Sequence, residues 1–216
     1  MEPQDPEDPK RAGEPGHRSH PQEPRDAAQG ERQLRALVAA GDERAAATEA
    51  MRVLGPKILG YLRSILRDEA DAGDAFSVWA EHLWRGIGSF RGDSSFRTWA
   101  FKIAYNAALN VRNEAWRRLG RPFETGEASR LADEIRTRTA VREERQRTKL
   151  DAIREQLTAE EQTLLTLRID QQLSWEDIGD VFSASNGGAR VDAATLRKRF
   201  QRLKDRLAEM LRERAE

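Results

Sequence analysis

The stretch that decides the fold runs from Phe90 to Arg118 and reads FRGDSSFRTWAFKIAYNAALNVRNEAWRR. It opens with the polar, glycine-containing loop 91–95, and Thr98 precedes a helical run. The apolar residues of this run recur at steps of three and four positions: Phe96, Ala100, Ile103, Ala107 and Val111. This spacing is typical of an α-helix that buries one face. The stretch therefore predicts a polar loop followed by an amphipathic helix.

The same part of the chain combines positive charge with aromatic rings. Residues 85–121 contain eight Arg or Lys and two acids, and six rings lie among them: Phe90, Phe96, Trp99, Phe101, Tyr105 and Trp116. Rings offer flat faces to unpaired bases, and cations neutralise phosphates. Two interpretations fit this pattern, a nucleic-acid-binding segment or a core helix with a solvated basic face.

The composition of the 216-residue chain limits its classes of function. Its 38% hydrophobic and 34% charged residues favour small helical units, and its zero net charge conceals strong segregation of charge. Cys is absent, and we found no phosphate-binding glycine loop or nucleophile constellation, so we expect no enzymatic activity, metal or cofactor. No apolar run approaches the roughly 20 residues of a membrane span, and no signal peptide is visible. We therefore expect a soluble, cytoplasmic protein.

Four segments can be distinguished along the chain. Residues 1–30 hold six of the eight prolines and almost no large apolar residue, so we expect a disordered tail, inert or masking a basic surface. The first folded unit is expected at 31–118. A charged, glycine-interrupted stretch at 119–147 predicts a flexible linker, and the second folded unit is expected at 148–216.

Helix signals precede the central stretch. Gly41 is expected to end a first short helix, and Asp42 to cap a longer one that contains Pro56. The next segment, 67–82, carries five acids against one Arg, with Phe76 and Trp79 beside them. An acidic and apolar helical face next to a basic segment predicts two surfaces, one for a protein and one for DNA.

The second unit shows the signals of a helix-turn-helix. Thr158 with Glu161 forms a capping box, Ser174 begins a further helix, and Asp192 caps the last one. That last helix is expected to present a polar face at i, i+4 spacing: Arg197, Lys198, Gln201 and Arg202. Arg can read guanine and Gln can read adenine in a major groove, whereas a merely solvated basic helix is the alternative.

The central stretch resembles region 2.3–2.4 of extracytoplasmic-function (ECF) sigma factors. The resemblance rests on Ser89 to Trp99, followed by Ile103-Ala104 and Asn106. In that family the segment opens the −10 promoter element and holds its non-template strand. The resemblance implies that Phe90 and Asn106 contact flipped −10 bases. Lys102 and Arg112 are cations suited to phosphates, and Arg91 and Trp99 complete the candidate −10 site. For Trp99, stacking on a base and bracing the loop remain alternatives.

The acidic segment is similar to region 2.2 of that family, which docks on the β′ clamp helices of core RNA polymerase. Four residues match the family pattern as polymerase contacts: Asp71, Asp74, Trp84 and Arg85. The chain departs from the pattern at Ser77, Val78 and Ala80. The further partners implied by the family are the polymerase β flap, promoter DNA and an anti-sigma factor, which the sequence does not identify.

The second unit resembles region 4, the −35 reader. Leu173 to Gly179 stands where the first motif helix begins, and Thr195 to Arg199 stands in the recognition helix. The turn is longer than the family's usual turn by about the segment 184–190. Together these features predict an all-α, two-domain ECF sigma factor that binds core polymerase and opens promoters. The competing interpretation is a one-component helix-turn-helix regulator that binds duplex DNA without polymerase.

Overall fold

The computed structural model describes residues 25–112, 126–143 and 154–213. In these ranges the chain forms helices joined by turns, without a β-strand, which confirms the all-α prediction. The helices are α1 (Arg25–Ala39), α2 (Glu43–Leu66), α3 (Glu69–Gly86), α4 (Phe96–Arg112), α5 (Gly126–Glu143), α6 (Ala159–Leu165), α7 (Trp175–Phe182) and α8 (Ala193–Glu213). The predicted tail before residue 25, Trp116 and the start of the second unit before Arg154 lie outside the described residues.

Helix α1 begins at Arg25, earlier than the position near residue 31 that the sequence suggested. Its first turns contain no large apolar residue, so they give no periodic signal. Gly41 follows its end with φ +76°, a conformation that glycine adopts without strain. The Asp42 carboxylate then accepts from the Ala45 N–H at 3.0 Å, which confirms the predicted cap of α2.

Helix α2 runs unbroken through Pro56 and forms the centre of the molecule. It packs on α1, α3, α4, α5 and α6. Its buried stripe includes Met51, Ile58 and Leu62, each with no exposed area. Gly55 lies against α5, because a Cβ at this position would come within 2.8 Å of the Ile135 side chain.

The pairing of α3 with α4 builds the core beneath the central loop. Phe76 and Trp79 are fully buried and their rings stack at 5.2 Å. The Trp79 indole N–H donates to the Ala100 carbonyl at 3.1 Å. The sequence pattern predicted that both rings lie on an acidic outer face. This prediction is wrong, because both rings point into the core. Packing against α4, which the sequence of α3 alone does not show, decides their direction.

Helix α4 starts at Phe96, two residues before the predicted Thr98. The Ser95 hydroxyl accepts from the Thr98 N–H at 3.0 Å and therefore serves as the local cap. One face of α4 is buried against α2 and α3, including Ala100, Ala104 and Val111.

The predicted linker contains α5, a packed helix. Ile135 and Ala132 are buried, and α5 lies against α2 and α3. The Arg136 guanidinium donates to the Ser77 hydroxyl at 3.2 Å and to the Gly73 carbonyl at 3.4 Å. Arg136 therefore helps to hold α5 against α3.

The second unit is assembled from the caps that the sequence indicated. Thr158 and Glu161 form a reciprocal capping box on α6, and the Ser174 hydroxyl accepts from the Asp177 N–H at 3.0 Å. The Asp192 carboxylate accepts from the Thr195 N–H at 3.0 Å at the start of α8. Helix α8 buries three residues on its inner side: Leu196, Phe200 and Leu203.

The two units share one hydrophobic core. The Tyr61 hydroxyl of α2 lies 3.1 Å from the Thr163 hydroxyl of α6, and the Tyr105 ring of α4 lies 5.3 Å from the Phe182 ring of α7. The Arg97 guanidinium, only 8% exposed, donates to the Gln171 carbonyl at 2.9 Å. These contacts hold α6 and α7 against α2 and α4.

Among the described residues, none of the helices is both long enough and apolar enough to cross a membrane.

Candidate nucleic-acid and polymerase interface

The loop before α4 is built on three packed rings. Phe90 is half-buried, and its ring centroid lies 4.0 Å from that of Phe96 and 5.5 Å from that of Trp99. The Phe90 N–H donates to the Ile87 carbonyl at 3.2 Å, closing the turn. Arg91 is exposed, and Gly92 has φ +79°, a conformation that a side chain would strain. The loop thus presents a partly open ring beside an exposed guanidinium.

Trp99 braces this loop from below. Its ring meets Phe96 edge to face at 5.6 Å and leaves no room beside Gly86, where a Cβ would lie 3.2 Å from the indole. Trp99 is half-buried, and these ring contacts favour the brace over the base-stacking alternative.

Helix α4 carries the remaining candidates for DNA contact. Lys102 and Asn106 are half-buried and lie one turn apart, and Arg112 is exposed at the end of the helix. An amide has both a donor and an acceptor for a base edge, and the cations suit phosphates. The structure therefore leaves these three polar groups on a helix that begins at the aromatic loop.

Two residues of α4, Arg97 and Tyr105, contact the second unit. Burial raises the pKa of the Tyr105 phenol, which donates to the Ser185 hydroxyl at 3.2 Å. Burial, together with the nearby Arg97 charge, lowers the pKa of the Lys57 ammonium. Arg97 and Tyr105 belong to the basic and aromatic pattern of the sequence, yet both serve interior packing here.

Two residues of α1 contact this loop, and the sequence analysis did not identify them. The Glu31 carboxylate accepts from the Phe96 N–H at 2.8 and 3.0 Å, and it pairs with the Arg35 guanidinium at 3.0 Å. Arg35 also donates to the Ser94 carbonyl at 3.3 Å and lies 6.0 Å from the Phe90 ring centroid. No local signal could have found them, because Glu31 and Phe96 are 65 residues apart in the chain.

Helix α3 displays the polymerase candidates unevenly. Asp74 and Arg85 are exposed, and Arg85 pairs with Glu81 at 2.7 Å. Asp71 and Trp84 are half-buried, and Trp84 packs against the core. The exposed surface of α3 is therefore mainly charged, because the Phe76 and Trp79 rings point inward.

Helix α8 exposes all five residues predicted to face a −35 element: Thr195, Arg197, Lys198, Gln201 and Arg202. Arg197 lies 3.8 Å from the Glu176 carboxylate and 6.0 Å from the Trp175 ring centroid. The Gln201 amide donates to the Asp205 carboxylate at 2.8 Å. To read a base, Gln201 would have to give up this hydrogen bond to Asp205 and form one to the base edge instead.

A cleft of about 360 Å³ lies between α6 and α8. Its floor is apolar and its rim carries Arg199, Arg202 and Arg206. The Arg206 guanidinium is bound to the Glu161 carboxylate at 2.7 and 2.8 Å. Burial opposes ionisation of Glu161, but bonds from Thr158 and Arg206 outweigh it and lower the pKa of this carboxyl.

The long turn between α7 and α8 folds back on both units. Ser185 accepts from Tyr105 of α4, and the Arg190 guanidinium is paired with Asp180, which raises the pKa of Arg190. Gly179 allows the turn to return closely, because a Cβ there would lie 2.4 Å from the Val191 carbonyl oxygen. The segment that lengthens the turn thus contributes to the contact with α4.

Sequence comparisons agree with this architecture. Residues 51–121 match the model of sigma-70 region 2. The chain is 32% identical over 168 residues to the RNA polymerase sigma-H factor of Pseudomonas aeruginosa, covering 74% of this chain and 86% of that protein. It is 31% identical over 115 residues to the ECF RNA polymerase sigma-E factor of Haemophilus influenzae, covering 50% of this chain and 60% of that protein. No solved structure shows a significant match.

The described residues form helices and turns, the chain contains a match to sigma-70 region 2, and its relatives are sigma factors, so its class is that of the sigma factors. The chain belongs to the ECF-type RNA polymerase sigma factors, which confirms the resemblance seen in its central stretch.

Proposed function

We propose that this chain binds core RNA polymerase, recognises the −35 and −10 elements of a promoter, and promotes opening of the DNA at the −10 element. The observation that carries the proposal is the presence of two separate polar surfaces, the loop with α4 and the outer face of α8, in a sigma-factor chain. The polymerase supplies the phosphoryl-transfer chemistry.

The −10 role is supported by the loop geometry. Opening needs a favourable site for bases that leave the stack, because unstacking costs a few kcal/mol per step. The half-exposed Phe90 ring offers such a face, and Asn106 offers hydrogen-bonding groups to a base edge. Arg91, Lys102 and Arg112 are the cations for the strand's phosphates.

The −35 role is supported by the exposed face of α8. Arg197 and Gln201 lie one turn apart, as do Lys198 and Arg202, so each pair can point together into a major groove. Thr195 sits in the first turn, where the helix N-terminus attracts phosphate.

The polymerase role is assigned to α3 and the second unit. Asp71, Asp74, Trp84 and Arg85 are the residues for the β′ clamp helices. The apolar cleft between α6 and α8 offers a surface for the β flap, and an anti-sigma factor would compete for these surfaces.

Run-off transcription with core polymerase and a library of promoter fragments tests the proposal. We expect transcripts only when the chain and the core enzyme are both present, together with weak binding of the isolated chain to duplex DNA. Tight, sequence-specific footprints from the isolated chain would instead support a one-component regulator.

A further inference from the structure

Helix α1 contacts the loop before α4 through residues to which the proposed function gives no role. Helix α4 has no acid in its own first turn, although an acid there would complement the positive end of the helix. Glu31 of α1 supplies this charge from a distant part of the chain, and both of its carboxylate oxygens accept from the Phe96 N–H. The first turn of α4 is therefore fixed by α1 as well as by Ser95.

Arg35, one turn further along α1, holds the loop itself. Its guanidinium donates to the Glu31 carboxylate and to the Ser94 carbonyl. It also lies 6.0 Å from the centroid of the Phe90 ring. A Cβ at Gly92 would lie 3.6 Å from Arg35 Nη1, so the guanidinium borders the loop backbone there too. One planar cation thus borders three positions of a short loop, at its start, middle and end.

Charge adds a second reason for the pair. Glu31 is a carboxylate next to a surface that is proposed to receive a DNA strand. The Arg35 cation, with a side chain 47% exposed, neutralises this carboxylate and remains reachable from solvent. Without Arg35, the same carboxylate would repel a phosphate backbone.

From this geometry we infer that Glu31 and Arg35 are positioning residues for the base-capturing loop: they fix Phe90 and Arg91 in the conformation that accepts an unstacked −10 base. The inference rests on the proposed function of the loop. The pair acts through loop geometry and local charge, so it should set how well the −10 strand is held and leave the α8 surface unaffected.

The test uses the full chain assembled with core polymerase. The probes are single-stranded oligonucleotides carrying the non-template −10 element of a promoter that the wild-type chain transcribes, and variants with one base changed. A duplex fragment with only the −35 element is the second probe. Binding is followed by fluorescence anisotropy for Arg35→Ala, Arg35→Lys, Glu31→Gln and the double variant. Arg32→Ala, an exposed residue on the same helix, is the matched control for loss of one positive charge.

We expect Arg35→Ala to weaken binding of the −10 strand by about tenfold, within the range set by loss of one stacked base, and to reduce discrimination among the base variants. Arg35→Lys should recover only part of this loss, because the single nitrogen of an ammonium cannot reproduce the planar group whose Nε and Nη2 reach Glu31 and Ser94 separately. Adding Glu31→Gln to Arg35→Ala should restore some affinity by removing the unpaired carboxylate. Binding to the −35 fragment should stay unchanged.

Equal losses in Arg35→Ala and Arg32→Ala would overturn the inference and indicate general electrostatics. Parallel losses for the −10 and −35 probes would also overturn it, since they indicate a damaged fold. If the wild-type assembly fails to bind the −10 strand, the proposed function fails as a whole. If the wild type binds and Arg35→Ala binds equally well, only the role of the pair fails.

Discussion

The Tyr61 hydroxyl of α2 donates a hydrogen bond to the Thr163 hydroxyl of α6, across an interior contact between residues that are 102 positions apart. The direction follows from Thr163, whose single hydroxyl proton is directed to the Ala159 carbonyl at 2.7 Å. Burial raises the pKa of the Tyr61 phenol, so it keeps the proton that it donates. This bond is one of the polar links between the two units.

A double-mutant cycle across this bond should show strong coupling. Tyr61→Phe removes the donor and should lower the free energy of unfolding by about 1 kcal/mol, whereas Thr163→Val leaves the buried phenol without an acceptor and should cost about 1–3 kcal/mol. The double variant should lose less than the sum, because no orphaned hydroxyl remains. Urea unfolding measures the three values, and additive losses would show that the hydroxyls do not interact.

Acid stability should depend on Glu161. Its pKa is lower in the folded chain than the ordinary value, so its ionised form stabilises the fold above the unfolded pKa of about 4.3, and this stabilisation is lost as pH falls through the lower folded pKa. Glu161→Gln should therefore make the unfolding free energy fall less steeply below this value. Arg206→Gln, which removes the paired cation, should flatten the same curve. A slope unchanged in both variants would contradict the assignment.

Promoter opening should separate from assembly in the loop variants. Phe90→Ala and Asn106→Ala should reduce run-off transcription from a duplex promoter while binding of core polymerase is retained. On a template with a pre-melted bubble Phe90→Ala should recover substantially, because stacking is worth about 1–3 kcal/mol and is sequence-tolerant. Asn106→Ala should recover less, since base-edge selection still matters on an open strand.

Asn110→Ala is the matched control for these variants, because it is an exposed amide one turn further along α4. It should leave both templates nearly unaffected. Permanganate reactivity of thymines near the start site reports the open state directly. Normal reactivity on duplex promoters with Phe90→Ala and Asn106→Ala would remove both residues from the opening step.

Base reading by α8 should appear as lost discrimination. Arg197→Ala and Arg202→Ala should each reduce the preference among −35 variants by about 1–3 kcal/mol if each makes a bidentate base contact. Lys204→Ala, also exposed on α8, is the control and should weaken all −35 variants evenly if it affects binding at all. Competition binding of the polymerase assembly to a −35 library measures both effects. Even losses for all three variants would indicate phosphate contacts.

Arg206 shows why such assignments need the structure. From the sequence alone it is a basic residue near the end of a DNA-reading helix, suited to a phosphate. In the fold it is bonded to Glu161 and to the Gln156 carbonyl, so its removal tests stability before it tests DNA binding.

The local parts of the fold could be predicted because their causes are local. Asp42, Ser174 and Asp192 each cap a helix through an N–H three residues ahead, so a short window of sequence contains the whole interaction. The contact from Glu31 to Phe96 has the same chemistry, yet its two members are distant in the chain. Only the packing of α1 against α4 brings them together.

The prediction of the direction in which the α3 rings point was wrong for a related reason. Phe76 and Trp79 stand among acids in the sequence, and a helical period does not say which neighbour will cover an apolar stripe. Trp79 turns inward because the Ala100 carbonyl accepts its N–H in a fully buried position. The DNA and polymerase residues of the sequence remain predictions that the transcription and binding experiments address.

The shared core of the two units limits the distance between α4 and α8. Packed helices lie about 8–10 Å apart, and α4 touches α7, which touches α8, so the axes of α4 and α8 are within about 20 Å of each other. Elements named for positions −35 and −10 are separated by about 25 base pairs, or roughly 85 Å of duplex at about 3.4 Å per pair. Under the proposed function, a chain whose α4 and α8 stay this close could not contact both elements at once. Simultaneous reading would then require the ring contact between Tyr105 of α4 and Phe182 of α7 to open.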